Sequence, residues 1–129
     1  MPLNPEHTYV HLAVDGTAET TPGGVEFWSL PPDEMCKFDQ GWVISEFIST
    51  EDWSNWERHP EGDEFVYLLD GDIELMLELP TGTTSERITG RGARVVPRNV
   101  WHTARVFCPS RMLFVTRGEG TQHRASSGA

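Results

Sequence analysis

The chain has 129 residues, of which 37% are hydrophobic and 23% are charged, and its 20 acidic and 10 basic residues give a net charge of −10. This length fits one domain with a hydrophobic core. The negative charge argues against binding to phosphate backbones or anionic membranes, so we expect neither nucleic acid nor membrane as a partner. Apolar runs are far shorter than the roughly 20 residues that span a bilayer. The first residues also lack the pattern of a signal peptide, which predicts a cytoplasmic protein.

Short strand-like segments recur along the whole chain, and turn residues separate them. A turn is expected at 20–24, and the only helical turn is expected at 33–38. Strands are predicted at 8–14, 25–30, 41–48, 64–69, 72–79, 86–89, 93–96, 102–107 and 111–116. About ten short strands in one domain indicate an all-β fold, either a closed barrel or a sandwich.

The clearest strand signal lies around Asp70-Gly71, a dipeptide typical of tight hairpin turns. After it, apolar residues alternate with polar or flexible ones over 72–79, as expected for a strand with one buried face. At the other end of the chain, residues 121–129 are small and polar. They are predicted to form a disordered tail, which leaves a single barrel domain over 1–120.

Metal-ligating side chains occur beside turns in two segments of the chain. Glu57 and His59 are two residues apart and would share one face of an extended chain. The turn at 60–63 could bring Glu64 back towards the same point, and a second turn places His102 at the start of a strand. Imidazole nitrogen together with carboxylate oxygen suits a divalent ion such as Fe(II), Mn, Ni or Zn.

These two segments resemble the two motifs of the cupin superfamily. The first motif runs His-x-His, three or four residues, Glu, six residues, Gly; His59, Glu64 and Gly71 match its second His, its Glu and its Gly. The second motif runs Gly, five residues, Pro-x-Gly, two residues, His, three residues, Asn; Pro97 and His102 match its Pro and His. The resemblance implies a double-stranded β-helix, the jelly-roll barrel of cupins, with a germin-like first motif.

The chain departs from these motifs at several positions. Glu57 occupies the place of the first His, where it could act as a fourth ligand or point away from the metal. Asn99 replaces the Gly of Pro-x-Gly, a mild change because Asn tolerates a left-handed backbone. The motif's first Gly is one residue early, at Gly92, and Val106 replaces the final Asn.

The resemblance leaves the function open, because cupins include oxygenases, isomerases, epimerases and proteins that only bind ligands. Two histidines and one carboxylate form the ligand set of non-haem iron oxygenases, which favours an oxygenase-like enzyme acting on a small organic molecule. In that reading His59, Glu64 and His102 are catalytic metal ligands, and Glu57 is a further ligand or a general base. The alternatives are a non-enzymatic cupin that binds a small ligand, and a sugar isomerase or epimerase.

Strand alternation also predicts what surrounds the metal. Val66 and Leu68 share a face with the ligand Glu, and Ala104 shares one with the last ligand His, so the cavity should be apolar. Because cupins commonly pair through terminal strands, we expect a homodimer in which residues 8–14 cover a sheet edge. Four of the five tryptophans are either candidates for the barrel mouth or ordinary core residues: Trp42, Trp53, Trp56 and Trp101.

Overall fold

The computed structural model of the protein describes residues 2–125. These residues form nine β-strands, two short α-helices and one 3-10 helix. The strands are β1 Thr8–Leu12, β2 Ala18–Pro22, β3 Trp42–Ser49, β4 Asn55–Arg58, β5 Glu64–Leu79, β6 Gly82–Val96, β7 Trp101–Val106, β8 Ser110–Thr116 and β9 Gln122–Ala125. The helices are α1 Val25–Trp28 and α2 Pro32–Met35, and the 3-10 helix is Cys36–Phe38. The helical turn expected at 33–38 is therefore confirmed, but it is not the only one among the described residues, because α1 precedes it.

Strand β5 is the longest and belongs to both faces of the barrel. Its first half pairs with β8, its second half pairs with β7, and β6 runs antiparallel to its whole length. The strands follow the order β2-β1-β3-β8-β5-β7-β4-β9, with β6 paired to β5. A strand that changes partners halfway joins two sheets into a jelly-roll barrel, so the predicted all-β fold is confirmed.

The hairpin predicted at Asp70-Gly71 is wrong, because the chain continues there as one strand with a shift in register. Gly71 has a φ of 139°, and a Cβ atom at this position would lie only 2.6 Å from the Cα of Ser110. The glycine therefore lets β5 bend against the start of β8. The hairpin turn lies instead at residues 80–81, between β5 and β6.

Two further expectations from the sequence are corrected. Residues 25–30 do not form a strand, because α1 occupies most of this segment and places Phe27 and Leu30, three residues apart, against one small apolar cluster. The predicted disordered tail is wrong for 122–125, which pair with β4 as β9. Backbone hydrogen bonds hold this strand, so it does not need apolar side chains. Residues 126–129 of that predicted tail lie outside the described residues.

The main core fills the space between the two sheets. Alternation along β5 buries Ile73, Leu75 and Leu77 almost completely, as its sequence pattern predicts. They pack with the inward residues of the other strands, namely Val66, Leu68, Ile88, Val96, Ala104, Met112 and Phe114. Among residues 2–125, no helix is long and apolar enough to span a membrane.

Candidate metal centre

Four side chains with ligand atoms meet at one end of the barrel. Glu57 lies in β4 directly opposite His102 of β7, His59 follows β4 in the next turn, and Glu64 is the first residue of β5. The sequence left open whether Glu57 points away, and in the structure it points into this cluster. All four predicted site residues therefore come together.

The two turns that carry the histidines are tied to each other. The backbone N–H of Asn99 donates to the carbonyl oxygen of His59 at 3.0 Å, and the N–H of Arg98 donates to the Asp63 carboxylate at 2.7 Å. Asn99 has a φ of 64°, which fits its place in the motif where glycine is usual. These bonds hold the entry to β7 beside the entry to β5.

The ligand atoms of the four residues all lie within 4.8 Å of one another. The Nε2 atom of His59 is 3.3 Å from an oxygen of Glu57 and 3.3 Å from an oxygen of Glu64. The Nε2 atom of His102 lies 3.5 Å and 3.0 Å from the same two carboxylates. His59, Glu64 and His102 are buried, whereas 26% of the Glu57 side chain is exposed.

Hydrogen bonds behind the cluster fix how each imidazole is oriented. The Thr121 hydroxyl donates to the carbonyl of Gly118 at 2.8 Å, so it must accept from the Nδ1–H of His59, also at 2.8 Å. The Nδ1–H of His102 donates to the carbonyl of Val100 at 3.0 Å. Both rings therefore direct Nε2 towards the carboxylates, the arrangement that a metal ligand needs.

Burial and charge act against each other on the two histidines. Burial lowers the pKa of His59, but the carboxylates of Glu57 and Glu64, each with an oxygen 3.3 Å from its Nε2, outweigh burial and raise that pKa to about 9. Burial also lowers the pKa of His102, but the carboxylates of Glu57 and Glu64 outweigh burial and raise this pKa to about 10. Burial raises the pKa of each glutamate, yet bonds to the two histidines leave both carboxyl pKa values below their ordinary range.

These residues fit a divalent cation. The Nε2 atom of His59 is buried and has no hydrogen-bond partner of good geometry among the described residues. Such an atom is costly to bury unless it binds something. Two imidazole nitrogens and two carboxylate oxygens form a donor set of the kind that suits Fe(II) or Mn(II). Thr116 also donates to Glu64, so the buried carboxylate is held in place.

A cavity of about 1310 Å³ reaches the cluster and includes Glu57, His59 and Glu64 in its wall. Most of its lining is apolar and aromatic, contributed by the sheets and by α1 and the 3-10 helix. Val66, Leu68 and Ala104 face inward as predicted, but they belong to the packed core beneath the cavity. Of the four tryptophans considered for the barrel mouth, Trp53 lines the cavity and the other three do not.

Sequence reasoning missed three residues at this site. Thr121 orients His59, Thr116 bonds to Glu64, and the ring of His123 on β9 lies 3.4 Å from Glu57. Two of them follow residue 120, where the small polar composition predicted a tail. Thr116 ends a predicted strand, and nothing in the sequence pattern links it to Glu64.

Comparison with solved structures supports the fold. The chain is similar to oxalate oxidase in complex with the substrate analogue glycolate (12% identity, TM-score 0.55), over 66% of this chain and 46% of the other. It is also similar to Peruvianin-I, a cysteine peptidase from Thevetia peruviana latex (14% identity, TM-score 0.56), over 66% and 56%. A third match is Fe(II)-HppE with the alternative substrate (S)-1-HPP (15% identity, TM-score 0.50), over 58% and 42%.

The chain thus spans 42% to 56% of the length of these three structures. No protein-family model and no curated protein matches the sequence. At these identities the likeness establishes the fold, so the resemblance to cupins is confirmed at that level: the chain has the cupin-type double-stranded β-helix, with a candidate metal site at one end of the barrel.

Proposed function

We propose that this protein is a metal-dependent enzyme that acts on a small organic molecule inside its barrel. The metal would be held by Glu57, His59, Glu64 and His102. The observation that carries the proposal is that these four side chains bring their ligand atoms within 4.8 Å of one another at the wall of a large cavity. Solvated surface carboxylates seldom gather around two buried imidazoles in this way.

Iron(II) is the metal that we favour, and Mn(II) is the next candidate because two carboxylates favour a harder ion. When bound, such an ion supplies Lewis-acid polarisation of a substrate oxygen and, in the case of iron(II), redox chemistry with dioxygen. The similar structure of HppE was solved with Fe(II), which agrees with iron as the first choice.

The chain's own residues have separate tasks in this proposal. His59, Glu64 and His102 are buried and hydrogen-bonded from behind, so they would form a rigid set of ligands. Glu57 is the most exposed of the four and forms part of the cavity wall, so it is the ligand side chain most accessible to a substrate in the cavity. In this position Glu57 would accept a proton from the substrate as a general base.

One alternative has an observation in its favour. Glu57 replaces the first motif His, which agrees with a non-enzymatic cupin that binds a ligand without turning it over. A sugar isomerase or epimerase fits less well, because a sugar needs many inward polar groups and this cavity is mostly apolar.

Metal analysis of protein purified without chelating resin tests the proposal. We expect about one iron or manganese per chain, and oxygen uptake when a catechol or a β-diketone is added to the iron form. His102→Ala should abolish both, while His7→Ala, which removes an exposed imidazole outside the site, should change neither. Absence of metal, with no rise in melting temperature on adding any divalent ion, would refute a metal enzyme. Bound metal and ligand binding without turnover would favour the non-enzymatic alternative.

The homodimer expected from the sequence remains a proposal with a revised interface. Strand β1 lies between β2 and β3 and does not form an edge, so the open edge on this side of the sheet is β2, Ala18–Pro22. An open edge strand offers unpaired backbone groups to a second copy. Light scattering after size exclusion should give twice the mass of one chain, and a species of monomer mass would refute the dimer.

A further inference from the structure

The cavity beside the metal centre has no lysine or arginine side chain in its wall. Among residues 2–125, which include every lysine and arginine of the chain, none of these side chains lines it. They lie elsewhere and mostly pair with other groups: Lys37 with Glu34, Arg87 with Asp72, Arg94 with Glu86, Arg111 with Glu46, Arg124 with Glu78, and Arg117 over the ring of Trp42. An anionic ligand would therefore find no guanidinium or ammonium partner here.

Outside the metal centre, the charges that face the cavity are negative. Asp39 and Asp52 line it in addition to Glu57 and Glu64. A divalent ion held by two carboxylates and two neutral imidazoles leaves the centre with no net charge, so the loaded metal would not attract an anion beyond direct coordination. Only His123 adds an imidazole at the edge of the cavity, and it already lies against Glu57.

Aromatic rings form two walls of the same cavity. On the sheet side, Phe47 stacks on Phe114 with ring centroids 4.7 Å apart, and Trp53 lies 5.8 Å from Phe114. On the helical side, Phe27 and Phe38 are 5.2 Å apart. Flat apolar walls of this kind favour a ligand that buries an aromatic face between them.

From this lining we infer that the substrate is an uncharged aromatic molecule, and that carboxylates, phosphonates and phosphates are excluded. The inference rests on the proposed function for the identity of the cavity as a substrate site. It separates this protein from its structural neighbour oxalate oxidase, which has been solved with the anion glycolate as a substrate analogue. The preference for an uncharged ligand over an anion would come from the absence of lysine and arginine in the lining as much as from the aromatic contacts.

Three compounds of nearly the same shape test the inference: benzamide is neutral, benzoate is an anion and benzamidine is a cation. We would measure the affinity of each by calorimetry at pH 7, both with a chelator present and after loading with Mn(II). Benzamide should bind at least about tenfold more tightly than benzoate with the chelator present, because the carboxylate loses water without gaining a cation. Benzamide should remain the tighter ligand after loading with Mn(II). Benzamidine should bind no more tightly than benzamide.

Two matched variants examine the origin of the preference. Asp39→Asn removes a negative charge from the cavity wall and should narrow the ratio of benzamide to benzoate affinity by about two- to fivefold. Asp33→Asn makes the same change at an exposed position of α2 that does not line the cavity, and it should leave the ratio unchanged. Equal changes in both variants would show that overall charge, and not the cavity, sets the preference.

The outcomes separate this inference from the proposed function. If benzoate binds most tightly, the inference is wrong. If benzamidine binds most tightly, the inference is wrong and the substrate is a cation. If none of the three binds at millimolar concentration, the substrate is not an aromatic molecule of this size. A separate titration with Mn(II) alone reports on the metal centre. Preference for benzamide without any binding of Mn(II) would support the cavity assignment while refuting the metal enzyme.

Discussion

Replacing Thr121 with valine removes the hydroxyl that orients His59 and keeps nearly the same shape. That hydroxyl accepts the Nδ1–H of His59 at 2.8 Å while donating to Gly118, and the ring it holds is only 5% exposed. Without this acceptor, the buried N–H loses its partner and the ring can turn Nε2 away from the other ligands. Loss of such a bond behind a ligand lowers metal affinity by roughly 10- to 100-fold, or about 1.4–2.7 kcal/mol.

The assay is a calorimetric titration of each variant with Mn(II), together with the melting temperature of the metal-free protein. Thr121→Ser keeps the hydroxyl and should bind within about threefold of the wild-type affinity. Thr83→Val, on an exposed part of β6, should leave the affinity unchanged. If Thr121→Val lowers only the melting temperature and leaves the affinity unchanged, the residue is merely structural and the orientation of His59 has another cause.

Three further predictions concern the metal site and the bend in β5. Glu57→Ala should weaken metal binding less than His102→Ala, because Glu57 is the more exposed ligand. If Mn(II) titrations give the reverse order, Glu57 is a principal metal ligand and its assignment here is wrong. The pKa values of His59 and His102 are about 9 and 10, so at pH 7 both rings must lose a proton before they can bind a metal. Metal binding should therefore release up to two protons and become tighter as the pH rises. Equal binding heats in buffers of different ionisation enthalpy would show that no proton is released. Gly71→Ala should lower the free energy of unfolding, measured by urea titration, by more than about 2 kcal/mol. Gly82 also has a positive φ, 125°, but open space around it, so Gly82→Ala should lower the same free energy by only about 1 kcal/mol. Equal losses would mean that the close approach of Ser110 to Gly71 does not matter.

Motif spacing accounts for most of what could be predicted about the site. His59, Glu64 and His102 keep the intervals that a cupin barrel needs to bring strand ends together, so their convergence followed from the sequence. Glu57 could not be decided in advance, because its direction depends on β4 pairing with β7 so that it lies opposite His102. That pairing joins residues 45 positions apart in the chain, and local pattern carries no information about it.

The errors in the predicted elements have a common physical origin in contacts between distant parts of the chain. Asp70-Gly71 has the composition of a hairpin turn, but Ser110 packs against the glycine and the strand continues. Residues 122–125 have no apolar side chain larger than alanine, yet β4 offers them a backbone edge. Arg124 also pairs with Glu78 and lies over the ring of Trp101. The alternating sequence pattern correctly predicted the buried face of β5, because side chains point to opposite faces at every second residue whatever the distant contacts are.

X-ray absorption spectroscopy of the protein loaded with one equivalent of iron(II) tests most directly whether these four side chains form a metal centre. The wild-type spectrum should require two imidazole rings together with oxygen donors around the iron. The His102→Ala protein should bind no iron specifically, so its spectrum should show no imidazole scattering. A wild-type spectrum with only oxygen donors from water and no imidazole scattering would contradict the proposed centre.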